Sequence, residues 1–260
     1  MATIKGTNGP ETLEGTSGDD HIVAGDGADT IFGRGGDDVI AGGEGDDRIS
    51  GGGGIDTVNY GGLADPIGVV VNLRQGTASG GDGDDLLISI EDVFGSQFAD
   101  DVTGDGGANL INAKGGQDTL RGAGGDDVLV GGDDDDIVSG GQGLDTLFGG
   151  KGQDALAGGA GADTFLYQNL GQTRGEFIGD LADEDFVDLS GIDADVNTGG
   201  DQAFTLVNKF SGQAGELVVK LVVGSDPAIS VIRGDIDGDG RKDFQIEVNG
   251  DASDYMNFVL

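Results

Sequence analysis

A nine-residue repeat constrains this chain more than any other feature of its sequence. The pattern glycine-glycine-x-glycine-x-aspartate-x-aliphatic-x occurs fourteen times in two blocks that each keep one phase, six repeats over residues 6–59 and eight over residues 95–166. Position eight of every repeat is apolar. Since alternate side chains of a strand face opposite ways, positions seven to nine are predicted to form a short strand whose middle residue points into a core.

Glycine at position four indicates a tight turn with a positive φ between successive strands. We expect two repeats to complete one coil of a flattened right-handed solenoid, with repeat n stacked on repeat n+2. The aliphatic residues would then fill a thin core between two sheets. The predicted fold class is therefore all-β: a right-handed parallel β-roll, or β-solenoid, in two blocks, closed by a C-terminal β cap.

The charge of the chain indicates that folding depends on cations. It carries 49 acidic and 13 basic residues, a net charge of −36, together with 56 glycines. Compaction crowds like charges together, and ordering glycine-rich backbone is entropically costly. The absence of a basic patch makes nucleic acid an unsuitable partner. With no cysteine, the chain can form neither a disulfide framework nor a thiolate metal site.

Calcium is the cation that the repeats suit best. Ca²⁺ takes six to eight oxygen ligands without a rigid geometry, and a glycine-rich turn offers carbonyls beside one carboxylate. Two stacked turns could together surround an ion, so six and eight repeats predict about four and about six sites, or about ten Ca²⁺ in all. The single histidine and missing cysteines argue against softer metals.

The predicted calcium ligands of the repeats are the acids at position six and the glycines at position four. They are Asp20, Asp29, Asp38, Asp47, Asp56, Asp100, Asp118, Asp127, Asp136, Asp145, Asp154 and Asp163, with Gly18, Gly27, Gly36, Gly45, Gly116, Gly125, Gly143 and Gly152. Departures from the pattern at Glu11, Asn109, Phe98 and Asp134 predict weaker sites.

A second acidic motif, over residues 235–243, resembles the front half of an EF-hand loop. Asp235, Asp237, Asp239 and Asp243 occupy positions 1, 3, 5 and 9, with glycine at position 6. Position 12 is Ile246 rather than glutamate, and the flanking residues are typical of strands. A calcium loop between two strands and a simple acidic turn both remain open interpretations.

Four regions are predicted: residues 1–59 as the first block, 60–94 as an irregular β insert, 95–166 as the second block and 167–260 as the C-terminal cap. Residues 69–73 and 86–94 read as strands of the insert, and residues 80–88 match the nonapeptide pattern out of register with both blocks. In the cap, residues 204–207, 216–223, 229–232 and 244–248 are predicted to be antiparallel strands.

No catalytic constellation is found in the sequence. His21 occupies an outward-facing seventh position and is predicted to lie at the surface. It cannot anchor a zinc protease, because no His-Glu-x-x-His helix and third ligand accompany it. There is no Gly-x-Ser-x-Gly elbow and no phosphate loop. The longest apolar stretch, residues 217–223, is too short to cross a membrane and contains Lys220. We therefore expect no enzymatic activity and no transmembrane segment.

The repeats resemble those of RTX proteins, the hemolysin-type calcium-binding family. Residues 185–194, 210–217 and 233–244 resemble the C-terminal domain of serralysin-type metalloproteases, whose catalytic domain this chain lacks. Residues 257–260 resemble the hydrophobic end of that domain, although Asn257 stands where an acidic residue is usual. The resemblance implies an uncleaved C-terminal signal that addresses a type I secretion exporter, and so an extracellular location. The first residues lack the pattern of a cleavable signal.

Three functions remain open. The first is a secreted, non-catalytic calcium-binding module that folds outside the cell and acts at the surface or in the matrix. The second is the C-terminal folding and export part of a secreted enzyme such as a serralysin-like protease, although Met1 leads directly into the first repeat as a natural start would. The third is a membrane-active or adhesive protein, which the lack of an amphipathic apolar helix disfavours.

Overall fold

The computed structural model describes residues 1–62, 66–81, 83–200, 202–222, 225 and 227–260. Within these ranges the protein consists of β-strands and a single 3₁₀ turn, Leu170–Thr173, with no α-helix. The predicted all-β, parallel β-roll fold class is confirmed. The strands are β1 Ala2–Lys5, β2 Thr12–Glu14, β3 Asp20–Val23, β4 Thr30–Gly35, β5 Val39–Ala41, β6 Arg48–Gly53, β7 Thr57–Asn59, β8 Val69–Asn72, β9 Thr77–Gly80, β10 Gly83–Ile88, β11 Asp92–Phe94, β12 Asp101–Thr103, β13 Leu110–Gly115, β14 Thr119–Gly124, β15 Val128–Asp133, β16 Ile137–Gln142, β17 Thr146–Lys151, β18 Ala155–Ala160, β19 Thr164–Leu166, β20 Arg174–Ile178, β21 Phe186–Asp188, β22 Thr205–Leu206, β23 Glu216–Val222, β24 Ile229–Asp235, β25 Phe244–Asn249 and β26 Phe258–Val259.

The strands form two sheets, and successive strands of each block alternate between them. Sheet A runs β1-β3-β5-β7-β11-β13-β15-β17-β19-β21-β26, and sheet B runs β2-β4-β6-β10-β9-β8-β12-β14-β16-β18-β20-β25-β24-β23-β22. Within the blocks each strand pairs in parallel with the strand eighteen residues later, as Ile31 pairs with Ile49 and Leu129 with Leu147. Repeat n therefore stacks on repeat n+2.

The core lies between the sheets and is built from position eight of the repeats. The position-eight residue is buried in every repeat, from Leu13 in the first to Phe165 in the last. Burying a Val, Leu or Ile side chain contributes roughly 1.5–3 kcal/mol, so this column is the main apolar contribution to the blocks. Further apolar side chains from the insert and the cap, such as Val93 and Val187, continue the same core.

Many strands are longer than the three residues that the alternation predicts. Strand β4 and most strands of the second block span six residues, because positions one to three of stacked repeats also pair: Arg34 lies beside Gly52 and Gly35 beside Gly53. The backbone of the turns is thus fixed by hydrogen bonds from one coil to the next, which holds the position-six side chains in a regular column.

The insert keeps the solenoid continuous. Strand β10 pairs in parallel with β6, β8 pairs in parallel with β12, and β9 lies between them antiparallel to both. On sheet A, β11 alone bridges β7 and β13. Residues 80–88 match the nonapeptide pattern out of phase with both blocks along the chain. In the structure they nevertheless stack in phase on the first block, since Leu87 pairs with Ile49. Asp82 of this segment lies outside the described residues.

The C-terminal region extends both sheets. Strand β20 pairs in parallel with β18 and β25, while β21 pairs with β19 and with β26 at the C-terminus. Strands β23, β24 and β25 are antiparallel, as predicted. The prediction for residues 204–207 was wrong in part: only Thr205–Leu206 is a strand, and it pairs in parallel with β23 because residues 207–215 cross back before β23 begins. Of the predicted strand 216–223, residue 223 lies outside the described residues.

Candidate metal sites in the turns

The position-six carboxylates form a ladder along each side of the solenoid. Each position-six aspartate accepts a hydrogen bond at Oδ1 from a backbone N–H one coil earlier, as Asp38 does from Asp20 (2.8 Å) and Asp136 from Asp118 (2.9 Å). These side chains are buried, with Asp38 0% and Asp136 1% exposed. Each carboxylate is therefore held by the turn beneath it.

The turns fall into two conformations, which we call open and closed. In an open turn the residue at position two has a positive φ, and ten of the fourteen repeats have it. The position-two residues of the open turns are Gly25, Arg34, Gly43, Gly52, Lys114, Ala123, Gly132, Gly141, Gly150 and Gly159. The four remaining turns, those of repeats one, two, seven and eight, are closed.

In a closed turn the second oxygen of the position-six side chain is bonded within its own turn. The N–H of Thr16 donates to Oδ2 of Asp20 (2.5 Å), and the N–H of Ser96 donates to Oδ2 of Asp100 (2.7 Å). Glu11 and Asn109 accept the equivalent N–H groups in repeats one and eight. In the closed turns the protein itself therefore supplies the hydrogen-bond donors of the position-six side chains, and no ion is needed.

In most of the open turns the second oxygen faces no donor among the described residues. Oδ2 is buried and has no hydrogen-bond partner among the described residues in nine of the ten. A buried carboxylate oxygen without a partner is costly, and native proteins leave few such atoms. The nine are Asp29, Asp38, Asp56, Asp118, Asp127, Asp136, Asp145, Asp154 and Asp163.

Backbone carbonyls line the space around these oxygens. A side chain at Gly131 would overlap both Oδ2 of Asp136 and the carbonyl of Gly149 in the next coil, and the same arrangement recurs at Gly122 and Gly140. At position four, the carbonyl of Gly125 lies against Gly143. The turns thus combine an unpaired carboxylate oxygen with carbonyls from stacked coils, an all-oxygen donor set that fits a hard cation such as Ca²⁺ and offers nothing to a softer metal.

Open turns occur only where another turn lies beneath them. Repeats one and two begin the first block, and repeats seven and eight stack on β8 and β11 of the insert instead of on a repeat. Six and eight repeats leave four and six gaps between stacked turns, the same numbers as the open turns. Nine of these ten open turns carry a carboxylate oxygen without a hydrogen-bond partner among the described residues.

Burial disfavours the charged form of the open-turn carboxylates. It raises the pKa of Asp118 and of Asp127 to about 7 and that of Asp136 to about 8, with neighbouring aspartates adding to the effect. For Asp20, in a closed turn, the hydrogen bond from Thr16 lowers the pKa. In another closed turn, burial still raises the pKa of Asp100, although hydrogen bonds from Val69 and Ser96 oppose the effect.

The structure places the predicted site residues unevenly. Asp20 and Asp100 lie in closed turns, while the other predicted position-six aspartates lie in open ones. Positive φ at position four is confirmed at Gly27, Gly36, Gly45, Gly116, Gly125 and Gly143, but the prediction was wrong at Gly18 and Gly152. In the closed turn of Gly18, the hydroxyl of Thr16 donates to the Gly18 carbonyl (3.1 Å) and the chain turns without a left-handed residue.

Two features of the turns were missed by sequence reasoning. The first is position two, whose positive φ distinguishes open from closed turns and whose frequent glycines were a visible signal. The second is that Asp134 adopts the glycine conformation at position four, with φ of 78°, inside an open turn. Of the four departures from the pattern, Glu11, Phe98 and Asn109 lie in closed turns.

The acidic loop between β24 and β25 gathers three of its four predicted ligands. Carboxylate oxygens of Asp235, Asp237 and Asp239 lie within 4.8 Å of one another, whereas Asp243 is turned away and accepts the N–H of Ile236 (2.7 Å). Asp235 accepts the N–H groups of Gly238 and Gly240. These bonds shape a hairpin loop with or without an ion, so the calcium loop stays a prediction.

A family model for the RTX calcium-binding nonapeptide repeat, in four copies, matches residues 5–40, 24–58, 33–65, 94–129 and 130–165, which together make up just over half of the chain. In a comparison with curated proteins, none matches. Within the described ranges the structure contains no helix that is long and apolar enough to cross a membrane.

Several solved structures resemble the chain. A subunit of the mannuronan C5-epimerase of Azotobacter vinelandii is 24% identical, with a TM-score of 0.38, and the match covers 63% of this chain and 78% of that one. The extracellular lipase of Serratia marcescens is 19% identical, with a TM-score of 0.31, covering 96% of this chain and 40% of the lipase. The family model matches the repeats, and the structure stacks their glycine-aspartate turns on one another. The chain therefore belongs to the family of RTX calcium-binding nonapeptide repeat proteins.

Proposed function

We propose that this protein is a secreted, non-catalytic calcium-binding module that folds on binding Ca²⁺ after export and acts at the cell surface or in the matrix. The observation that carries the proposal is the set of buried Oδ2 atoms in the open turns that have no hydrogen-bond partner among the described residues. About ten Ca²⁺, one for each open turn, would satisfy these oxygens and offset roughly 20 of the 36 net negative charges.

The same chemistry makes folding conditional on location. Calcium binding to a site that exists only in the folded state contributes its binding free energy to folding. Sites of the extracellular type bind Ca²⁺ with dissociation constants of about 10⁻⁴–10⁻³ M, far above the calcium available in a cytosol. The chain therefore remains unfolded inside the cell and folds outside it.

Export through a type I secretion exporter is supported by the C-terminal resemblance and by the position of the tail. Strand β26, Phe258–Val259, is the last strand of sheet A and pairs with β21. The N–H of Leu189 also donates to the Val259 carbonyl (2.8 Å). A tail held in a sheet is unavailable as an extended signal, so an unfolded chain in the cytosol keeps the signal exposed.

A calcium titration of the purified chain tests the folding proposal. We expect the far-ultraviolet circular dichroism spectrum to change from coil to β as Ca²⁺ rises into the millimolar range, and to revert with chelator. Mg²⁺ at equal concentration is the control, because it demands octahedral geometry and keeps its waters. A spectrum that is the same in chelator and in Ca²⁺ would refute the proposal.

Deletion of residues 254–260 tests the export route. In a host that carries a type I exporter, the truncated chain should remain in the cells while the full chain appears in the medium. Deletion of residues 1–5, which removes β1 from the opposite end, is the matched control and should leave export intact. Undiminished export of the chain without residues 254–260 would exclude the C-terminal signal.

The second candidate is the folding and export part of a secreted enzyme. It is supported by the resemblance of residues 185–194 and 210–217 to the C-terminal domain of serralysin-type proteases. A catalytic domain encoded in frame before Met1 would favour it, and a stop codon there would exclude it.

A further inference from the structure

The turn that follows the last repeat repeats the open-turn arrangement without the nonapeptide pattern. Strand β20 stacks on β18, with Ile178 beside Leu156, so Glu176 occupies the place of a position-six residue. The N–H of Asp154 donates to Oε1 of Glu176 (3.2 Å), the same contact that the repeat aspartates make one coil apart. The turn is four residues longer than a repeat turn, since the partners here are 22 rather than 18 residues apart.

Three buried oxygens of this region have no hydrogen-bond partner among the described residues. They are Oε2 of Glu176, Oδ2 of Asp154 and the hydroxyl of Tyr167. Glu176 is 0% exposed, while Asp154 and Tyr167 are each 1% exposed. The Tyr167 hydroxyl lies within electrostatic range of both carboxyl groups. Burying a phenol and two carboxyl groups without hydrogen-bond partners is costly. A cation or a proton between them would remove that cost.

In two other turns that flank the blocks, the second carboxylate oxygen has a hydrogen-bond donor. Asp85, which stacks above Asp47, accepts the hydroxyl of Tyr60 at Oδ2 (2.9 Å). Asp185, which stacks above Asp163, accepts the N–H of Ala182 at Oδ2 (2.7 Å). Tyr60 and Tyr167 both directly follow the last repeat of a block. The Tyr60 hydroxyl donates to a carboxylate, whereas the Tyr167 hydroxyl has no partner among the described residues.

We propose that Glu176 and Tyr167, together with Asp154, whose carboxylate is shared with the ion of its own open turn, line an additional Ca²⁺ site in the gap between the turn of repeat thirteen and the turn 167–176. Two carboxylates supply charge, and the phenol supplies a neutral oxygen, a donor set that suits a hard divalent cation. The site lies outside the nonapeptide pattern, because glutamate replaces aspartate and tyrosine replaces glycine.

An ion in this gap would join the solenoid to the C-terminal region. Strand β20 pairs with β18 on one side and with β25 on the other. Fixing Glu176 against Asp154 therefore fixes the boundary between the last coil and the antiparallel strands β23–β25. The end of the solenoid would thus be ordered by Ca²⁺, as the coils are.

Calcium stoichiometry of the full chain, measured by native mass spectrometry, tests the site. Glu176→Gln should bind one Ca²⁺ fewer than the natural chain, while Glu184→Gln, at an exposed glutamate nearby, should bind the same number. An unchanged stoichiometry for a folded Glu176→Gln protein overturns the site, leaving a proton in the gap. If the natural chain binds no calcium at all, the proposed function itself fails, and the two failures are thus distinguishable.

Terbium luminescence provides the second test if Glu176→Gln does not fold. The chain has no tryptophan and three tyrosines, so emission of Tb³⁺ excited through the protein must come from tyrosine. Tyr167→Phe, which keeps the ring, should lose more sensitised emission than Tyr255→Phe, because the hydroxyl of Tyr255 donates instead to the Asp185 carbonyl (2.8 Å). Equal emission from the two variants overturns the site.

Discussion

Oδ1 of Asp38 accepts the backbone N–H of Asp20 at 2.8 Å, while Oδ2 of Asp38 is buried without a partner among the described residues. One oxygen of the side chain therefore stabilises the fold, and the other is available to a cation. Oδ1 holds consecutive coils in register, whereas the buried, unpartnered Oδ2 destabilises the folded state until a cation binds to it. The coupling of folding to calcium resides in this division of a single carboxylate.

Replacing one open-turn carboxylate should remove one ion without breaking the ladder. In Asp136→Asn the amide oxygen can still accept the N–H of Asp118, but the charged oxygen is lost. We expect one Ca²⁺ fewer per chain and a loss of about 1.5–3 kcal/mol from the calcium-saturated stability, the contribution typical of a charged hydrogen-bonding group. Native mass spectrometry and denaturant unfolding measure the two effects.

The control for Asp136→Asn is Asp183→Asn, which removes the same charge from an exposed position. It should keep both the number of ions and the stability to within about 0.5 kcal/mol. If both variants lose stability equally, net charge rather than the ladder governs folding.

Closed turns should tolerate loss of charge without losing an ion. Oδ2 of Asp100 already accepts the N–H of Ser96, so Asp100→Asn should bind as many Ca²⁺ as the natural chain. Asp118→Asn, one coil later in an open turn, should bind one fewer. A loss of one ion in both variants would show that the closed turns open when calcium binds.

The calcium-free fold should be favoured by acid. Burial raises the pKa of Asp118 and Asp127 to about 7 and of Asp136 to about 8, above the ordinary value of an aspartate. A raised folded-state pKa means that the stabilising protonation is complete below the unfolded value near 4 and is lost as pH rises through 7 to 8. In metal-free buffer, circular dichroism should show more β structure near pH 4.5 than at pH 8.

Calcium should reverse the effect of pH, because the cation replaces the protons. Saturating Ca²⁺ at pH 8 should restore the β signal that alkaline, metal-free conditions remove. A metal-free spectrum that does not vary between pH 4.5 and pH 8 would contradict the assignment of these carboxyl groups to the open turns.

A glycine at position two should stabilise an open turn. Ala123 has a φ of 78°, a conformation that costs a residue with a side chain of order 1 kcal/mol. Ala123→Gly should therefore raise the calcium-saturated stability by about 0.5–1 kcal/mol in denaturant unfolding. Ala155→Gly, in strand β18, is the matched control and should lower it, since glycine weakens a strand interior.

The acidic loop shows where motif reasoning reached its limit. The spacing of Asp235, Asp237 and Asp239 correctly indicated that three carboxylates would converge between two strands. It also assigned Asp243 to the group, but strand β25 begins at the next residue and draws the Asp243 carboxylate onto the N–H of Ile236. The start of a strand is a tertiary property, and the linear spacing does not contain it.

The sequence by itself determined the coil. A strict nine-residue period with an apolar residue at position eight leaves one way to bury Ile31 above Ile49, and a one-residue slip would turn every such side chain to solvent. Tertiary structure decided which carboxylates are available to calcium. Asp100 and Asp118 occupy the same repeat position, but the turn of Asp100 stacks on the insert and the turn of Asp118 stacks on another repeat. Glu176, which matches no repeat, is placed in the ladder by the pairing of β20 with β18, because backbone stacking rather than residue identity brings its oxygen into the gap.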